Sequence, residues 1–357
     1  MDDTRTVDAA RLPVLGRLPE PAWPALEAPI DLDAYRDRCT GSLVTGAIGD
    51  GLGGPLEGRS AASIRDRFGP GGMREPVYPT FRWSDDTQLT MVVAESLIAC
   101  GGRFDADDFV ARLVAWLPRA RGIGRATREA VTALSRGEPW HEAGPRIDSS
   151  GNGAAMRMAP VGLVRALDPT PAALLADAIR FSIPTHGGEV GLAAAVAMAA
   201  AVAYLARAGA SGATSFPASG LVAFVTDACG PIETAASWTR RQPPGQVWLR
   251  ERLTAIPAWL DREPRDVFAE TWSGAFALES VPAAFYAFLR TPDDPRETLL
   301  TAANASHDTD TIASMAGNLA GAWLGAQRVR EGIGDWWDRL EGAEQVVRAA
   351  EGLAGLG

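Results

Sequence analysis

Apolar residues recur at helical spacing along most of the chain, and few segments alternate apolar and polar residues as β-strands do. The pattern predicts an all-α protein. No repeat of fixed period appears, which favours a globular cluster of helices over a solenoid. Glycines and prolines separate the predicted helices, which cover residues 33–50, 85–99, 106–116, 125–135, 154–165, 171–182, 188–207, 247–260, 275–289, 295–303 and 309–331.

Two stretches depart from the amphipathic pattern. Residues 1–37 carry five prolines and no long apolar period, so they are predicted to form an irregular arm, with 38–357 as one large domain. Residues 190–205 are apolar enough to suggest a membrane span. This stretch is short, rich in alanine and preceded by Glu189, so a buried core helix is predicted and no membrane is expected as a partner.

Composition narrows the function class. Of 357 residues, 46% are hydrophobic and 22% are charged, which supplies enough apolar material for a sizeable core. The net charge of -10 argues against a dedicated nucleic-acid surface, because clustered Lys and Arg carry phosphate binding. The three cysteines are widely spaced and form no CxxC pair, so neither a disulfide framework nor a structural zinc site is expected. Together with the lack of a secretory signal pattern at the start, this predicts a cytoplasmic protein.

Two acidic clusters stand directly before predicted helices. Ser84, Asp85 and Asp86 precede an apolar helix, where a simple N-terminal cap explains them if they are taken alone. Asp308, Asp310 and Thr311 begin another helix far downstream. If the two clusters converge, they offer only oxygen ligands, which suit Mg²⁺, Mn²⁺ or Ca²⁺ better than zinc. The clusters therefore predict a magnesium-type site.

Glycines mark three further segments. Gly317, Gly321 and Gly325 share one helical face, which predicts close helix packing. The segment 46–57 contains Asp50 and Glu57 but has no lysine after its glycines, so it is a weak phosphate loop. Residues 149–153 lead into a helix whose free amides could receive a diphosphate, although a plain loop with a cap fits equally well.

Five motifs taken in order resemble the signature of the ADP-ribosylglycohydrolase family. They are GAIGDGLGGPLE, SDDTQLT, GNGAAMRMAP, TH and DTDTIASMAG, and the resemblance runs from about Gly41 to Ala326. It implies a compact orthogonal helical bundle in which two Mg²⁺ ions, or Mn²⁺, lie in a cleft. There the catalytic domain would bind ADP-ribose and hydrolyse its bond to a modified target.

The resemblance also assigns roles to individual residues. Ser84, Asp85 and Asp86 would hold one ion, Asp308 and Thr311 the other, and Asp310 would bridge them. Glu57 matches the family's mobile glutamate and is a candidate base, and Asp85 and Asp86 would stabilise positive charge on the ribose. The residues expected to contact substrate are Asp50, Gly151, Asn152, Gly153, Met156, His186 and His307.

The chain departs from the family pattern at three places. Ser84 stands where threonine is usual, and Ser306 and His307 replace a pair of glycines. The segment 118–124 contains no acid, whereas arginine-directed members carry a catalytic aspartate there, so ADP-ribosyl-arginine becomes a weaker expectation. Arginine, serine, a nucleic-acid base and a small acetylated ADP-ribose all stay open as acceptors. A hydrolase of a free ADP-ribose derivative and a binding or immunity protein that acts by contact are the alternatives.

Overall fold

The computed structural model describes residues 29–147, 149–168, 171–233 and 248–357. Across these ranges the chain forms sixteen α-helices, and its only β pairings are isolated bridges. The helices are α1 Leu32–Gly53, α2 Ala61–Phe68, α3 Asp85–Ala99, α4 Ala106–Trp116, α5 Arg125–Leu134, α6 Trp140–Ile147, α7 Ala159–Leu167, α8 Pro171–Ser182, α9 Glu189–Ala210, α10 Ala218–Glu233, α11 Leu249–Ala255, α12 Pro264–Thr271, α13 Ala277–Arg290, α14 Pro295–Ala303, α15 Thr309–Ile333 and α16 Ala343–Ala354.

The all-α prediction is confirmed, and two of its helices are interrupted at prolines. The predicted helix 154–165 becomes a 3₁₀ turn at Ala155–Arg157 followed by α7, which has Pro160 in its first turn. The predicted helix 247–260 ends as α11 and continues as a 3₁₀ turn, Ile256–Trp259, that contains Pro257. A proline lacks the amide hydrogen that a continuing helix requires, so it starts a new turn instead.

The predicted boundary of the N-terminal arm at residue 37 lies inside a helix. Helix α1 begins at Leu32 because the Asp31 carboxylate accepts hydrogen bonds from the Asp33 and Ala34 amides. The Asp31 amide also donates to the Ala210 carbonyl at 2.9 Å, which ties the start of α1 to the end of α9. Residues 32–37 therefore belong to the helical domain, and the predicted arm over 1–28 lies outside the described residues.

Helices α1 and α15 form the central pair of the fold. They run antiparallel, because Gly41 near the start of α1 meets Gly321 while Gly53 at its end meets Thr309. A Cβ atom on Gly41, Gly321 or Gly53 would lie under 3.0 Å from backbone atoms of the facing helix. Close packing at Gly317 and Gly321 is confirmed, but Gly325 has φ 80° and interrupts the helical backbone.

Helix α9 is the core helix of the domain. It is long and apolar enough to cross a membrane, and its apolar window is entirely buried inside the protein. Its alanines allow α1, α7, α8, α10, α13 and α15 to pack around it. The prediction of a buried core helix at this position is confirmed.

Candidate functional site

The two acidic clusters meet where the end of α1 faces the starts of α3 and α15. The Oδ2 atom of Asp86 accepts hydrogen bonds from Ser84 Oγ at 3.0 Å and from Thr311 Oγ1 at 3.3 Å, and Thr311 is 225 residues away in sequence. Carboxylate oxygens of Asp50, Asp86 and Asp310 all lie within 4.8 Å of one another. The predicted convergence of the clusters is therefore present in the structure.

Asp50 lies at the bottom of this cluster. It is fully buried, and its carboxylate accepts hydrogen bonds from the Ser84 amide at 2.9 Å, the Thr87 amide at 3.0 Å and Thr87 Oγ1 at 2.6 Å. Asp50 thus caps α3 from a neighbouring helix and fixes the direction in which Asp85 and Asp86 point. Asp50 thus has a positioning role inside the acid cluster, and its expected contact with substrate stays a prediction.

The second cluster is held by contacts from outside α15. The Asn152 Nδ2 atom donates to Asp308 Oδ2 at 2.5 Å and to Ser280 Oγ at 3.0 Å, so both amide hydrogens are used. The Asp308 amide donates to the Ser273 carbonyl at 3.0 Å. Asp310 Oδ1 accepts from the Thr311 amide at 2.9 Å. Asn152, expected to bind substrate, therefore orients a carboxylate of the acid cluster.

The electrostatics of the cluster favour a bound cation. Burial is the largest cause that raises the pKa of each carboxyl group, with repulsion between neighbouring acids adding to it for four of them. The pKa of Asp85 rises to about 7 and that of Asp308 to about 6, while the pKa values of Asp50, Asp86 and Asp310 are also raised. Among the described residues, none of these five carboxylates forms an ion pair with Lys, Arg or His.

One oxygen of this cluster has no partner. Asp86 Oδ1 is buried and makes no hydrogen bond within the part of the chain that the structure describes. A buried, unpartnered carboxylate oxygen is costly unless a cation neutralises it. The donors around it are carboxylates and hydroxyls, the ligands that hard divalent cations prefer. The residues present therefore fit a divalent metal.

Glu57 follows a 3₁₀ turn, Gly54–Leu56, and is exposed. The loop after it is fastened to the second cluster, because the Gly58 amide donates to the His307 carbonyl at 2.7 Å and the His307 amide donates to the Arg59 carbonyl at 2.8 Å. The charge of Glu57 contributes to the raised pKa values of Asp85, Asp308 and Asp310. Glu57 therefore stands at the edge of the acid cluster with its carboxylate accessible to solvent.

The glycine loop 151–153 rests on His186. A Cβ atom on Gly153 would lie 2.8 Å from the His186 ring, and the histidine itself is 2% exposed. Burial, with a contribution from Arg157, lowers the His186 pKa to about 3, so the imidazole is neutral and supports the loop from beneath. Met156 is also buried, so Gly151 and Gly153 are the parts of this segment that face outward.

Comparisons with known proteins agree with this geometry. The sequence profile of the ADP-ribosylglycohydrolase family matches residues 31–357. The chain belongs to the ADP-ribosylglycohydrolase family. It is 30% identical to the ADP-ribosylhydrolase ARH3 of Gallus gallus, over 88% of this chain and 92% of that protein. It is 29% identical to the ADP-ribosylarginine hydrolase Tri1 of Serratia proteamaculans, over 89% of this chain and 79% of that protein.

The ADP-ribosylglycohydrolase fold is shown by a solved structure as well. An ADP-ribosylglycohydrolase-related protein complex has a TM-score of 0.61 and 27% identity, and the match covers 91% of this chain and 99% of the other. The predicted fold class is thereby confirmed. The family is generally metal-dependent, which is consistent with the buried triad of Asp50, Asp86 and Asp310.

Ser306 and His307, where ADP-ribosylglycohydrolases usually have glycines, adopt left-handed backbone conformations with φ of 80° and 53°. This backbone explains the family's preference for glycine here, since residues with a Cβ atom pay a steric cost in that region. Ser306 Oγ is 2.9 Å from Ser273 Oγ, and His307 is exposed on the wall of a neighbouring groove. The expected substrate contact of His307 would therefore be made from that groove.

The acid-free segment 118–124 does border the site. Gly122 has φ 74°, and a Cβ atom on it would lie 3.2 Å from Asp85 Oδ1. Its neighbour Arg121 turns away, because it lies over the Trp83 ring at 4.7 Å and pairs with Glu341 at 2.7 Å. The position next to Asp85 is thus lined by the backbone of Gly122.

Two residues near the site were not singled out from the sequence. Gln88 Oε1 accepts from the Arg121 amide at 2.9 Å and from Trp116 Nε1 at 3.1 Å, which holds the 118–124 segment against α3. Arg157 is fully buried and donates to Thr185 Oγ1 at 2.7 Å, and its charge acts on Asp85. Both lie inside the quoted motifs SDDTQLT and GNGAAMRMAP, which is the signal that could have identified them.

The raised pKa values predict how stability depends on pH and metal. Because Asp85 and Asp308 have folded pKa values of about 7 and about 6 against 3.8 when unfolded, the folded cation-free protein binds protons more tightly. The associated stability is present below pH 3.8 and is lost as pH rises through 6 to 7. A divalent cation takes the place of those protons, so millimolar Mg²⁺ should raise the Tm by several degrees at pH 8 and little at pH 5.

This dependence is measured by thermal unfolding with EDTA and with Mg²⁺ across pH 5 to 8. Parallel unfolding measurements with Ca²⁺ and with Mn²⁺ compare the three hard cations that oxygen ligands suit. An equal Mg²⁺ shift at both ends of the range would contradict proton–metal competition at the acid cluster.

Proposed function

We propose that the chain is a metal-dependent hydrolase that cleaves the glycosidic bond between ADP-ribose and a modified acceptor. The observation that carries the proposal is the set of buried carboxylates, contributed by three separate motifs, that forms no direct ion pair with a described residue and includes a buried oxygen without a hydrogen-bond partner. The relatives named as ADP-ribosylhydrolase ARH3 and ADP-ribosylarginine hydrolase Tri1 support the same chemistry.

We propose two Mg²⁺ ions, with Mn²⁺ as a substitute, as the cofactors. Ser84, Asp85 and Asp86 would hold one ion, Asp308 and Thr311 the other, and Asp310 would contact both. When bound, divalent ions at such a site neutralise the carboxylates and act as Lewis acids toward oxygen atoms of the substrate.

The chain's own residues would then perform the remaining steps. Departure of the acceptor leaves positive charge on C1 of the ribose, and the carboxylates of Asp85 and Asp86 stabilise that charge. Glu57, exposed at the rim, takes the proton from the water whose oxygen bonds to C1, while the departing acceptor keeps the electron pair of the broken bond and takes up a proton from solvent. Asp50 keeps the start of α3 in place, and Asn152 holds Asp308. Gly151 and Gly153 present backbone toward the diphosphate.

The acceptor is proposed to be something other than arginine. The ADP-ribosylarginine hydrolase Tri1 is among the relatives, yet here Gly122 lies against Asp85 with no acidic side chain beside it. A positively charged guanidinium leaving group would lack the carboxylate that the arginine-directed members carry at this place. Serine and small acetylated conjugates need no such partner.

Calorimetry separates the proposed hydrolase from the alternatives. ADP-ribose should bind with measurable heat in the presence of Mg²⁺ and at least about tenfold more weakly in EDTA, a loss of about 1.4 kcal/mol or more. Release of ADP-ribose from serine, arginine and acetyl conjugates then ranks the acceptors. If ADP-ribose does not bind in either condition, a protein that acts by contact replaces the hydrolase; if only a free ADP-ribose derivative is cleaved, the target is a small molecule.

We propose that the protein is located in the cytoplasm, a reducing compartment, and the state of its cysteines supports this proposal. Cys39 and Cys229 are buried free thiols, and Cys100 is half-buried without a disulfide. Oxidising compartments favour paired cysteines. Localisation of a tagged full-length chain in its native cell tests this proposal.

A further inference from the structure

A groove of about 460 Å³ lies beside the acid cluster, between α2, α12 and α14. Its volume is within the range of about 300–1,000 Å³ typical of sites for small ligands or short peptide segments. The residues that carry chemistry along its wall are four arginines, two glutamates and one exposed tryptophan. None of them belongs to the acid cluster or to the glycine loop.

The groove is connected to the acid cluster through a shared turn. Ser306 and His307 line the groove, and Asp308 is the next residue in the chain. Ser273, which also lines the groove, lies against this turn: its carbonyl accepts from the Asp308 amide at 3.0 Å, and its hydroxyl donates to the Ala305 carbonyl at 2.7 Å. A molecule bound in the groove would therefore lie on one side of this turn, with the carboxylate of Asp308 on the other side.

The groove is positive in a protein that is strongly negative. Its four arginines against two glutamates leave an excess of two positive charges, whereas the whole chain carries -10. Arg74 is engaged with Glu297 at 2.7 Å, and Arg290 donates to backbone carbonyls at 2.6 and 2.8 Å. Among the described residues, Arg65 forms no salt bridge, and Arg265 pairs with Asp266 at 3.4 Å, with both of these side chains more than half exposed. Two arginines are thus available to a ligand.

Trp272 marks the rim of the groove. Its ring is 64% exposed, and its backbone has φ 63°, which is unfavourable for a residue with a Cβ atom. Such backbone strain tends to be retained at functional positions. An exposed, rigid aromatic ring beside free arginines is typical of a surface that binds a peptide.

We propose that this groove binds an acidic segment of the polypeptide that carries the ADP-ribose, and that it thereby selects the acceptor. The inference rests on the proposed hydrolase function. Carboxylates of the segment would pair with Arg65 and Arg265 while its apolar side chains pack on Trp272. A nucleic acid is less suited, because its binding relies on many clustered Lys and Arg side chains, whereas the described part of this groove offers two available arginines.

The test uses charge reversal at the two available arginines. The Arg65→Glu/Arg265→Glu variant is compared with wild type and with Arg36→Glu/Arg348→Glu, which makes the same change in net charge at exposed arginines of α1 and α16 outside the groove. Fluorescence anisotropy measures binding of a labelled Asp/Glu-rich peptide without ADP-ribose, and a Lys-rich peptide of equal length controls for charge. We expect the groove variant to weaken binding of the acidic peptide at least tenfold and Arg36→Glu/Arg348→Glu to leave it unchanged.

Steady-state kinetics of ADP-ribose release provide a second test. The groove variant should raise KM for ADP-ribose attached to an acidic peptide about tenfold, with kcat and the cleavage of a small acetyl conjugate unchanged. An unaltered Kd for the acidic peptide, a wild type that does not bind it, or tighter groove-dependent binding of a single-stranded oligonucleotide would overturn the proposal. If wild type cleaves no conjugate, the hydrolase function fails, while the peptide titration still decides what the groove binds.

Discussion

Asp310→Asn should lower kcat/KM for release of ADP-ribose by on the order of 10³-fold or more, because a neutral amide cannot hold a divalent cation between the two clusters. Asp310 is 4% exposed and lies with Asp50 and Asp86 in the buried triad. The asparagine carbonyl can still accept the hydrogen bond from the Thr311 amide. The change therefore removes a charge while preserving the local backbone.

The same variant should be more stable than wild type when no cation is present. The Asp310 pKa is raised well above its ordinary value by burial and by repulsion from Asp308, so its charge destabilises the cation-free fold. We expect Asp310→Asn to have a higher Tm than wild type in EDTA and to lose the Mg²⁺-induced rise in Tm. A second variant, Asp85→Ala, should abolish turnover. Asp335→Asn, at a side chain that is 77% exposed, serves as the control. Full activity in both Asp310→Asn and Asp85→Ala would reject the assignment of the site.

Gly321→Ala should destabilise the protein by about 3 kcal/mol, because it places a methyl group between the backbones of α1 and α15. A Cβ atom there would lie under 3.0 Å from the carbonyl of Gly41 and the amide of Ser42. Backbone atoms in the middle of two long helices cannot rotate away as a flexible side chain can, so the helices themselves have to separate.

Urea denaturation measures this loss. Gly54→Ala is the matched control, since Gly54 has helical φ and ψ of -47° and -43° and nothing lies within 4 Å of its Cβ position. That variant should change the free energy of unfolding by less than about 1 kcal/mol, with a gain expected from the smaller entropy of the unfolded chain. Equal free energies of unfolding for both variants would show that the helices do not require a glycine at 321.

Local signals predicted much of the helical architecture. Helices α3, α4, α8 and α14 begin and end at the predicted residues, because a capping side chain or an N-terminal proline marks the start of each. Helix α16 was missed: it begins at Ala343, and the residue before it, Gly342, has no side chain to provide a cap. Helix α10 was missed as well, and it carries glycines and Pro231 that are typical of a break.

The order and chemistry of the motifs determined which residues could form the site, because oxygen ligands and helix starts are properties of short segments. Tertiary structure decided what each residue does there. Asp50 caps the start of α3, and Asn152 donates a hydrogen bond to the carboxylate of Asp308. His186 is buried with a lowered pKa, so it packs as a neutral ring beneath the glycine loop. The physical reason is distance along the chain: the contact between Thr311 and Asp86 spans 225 residues and depends on how α3 and α15 pack beside α1, where glycines allow α1 and α15 to lie backbone to backbone.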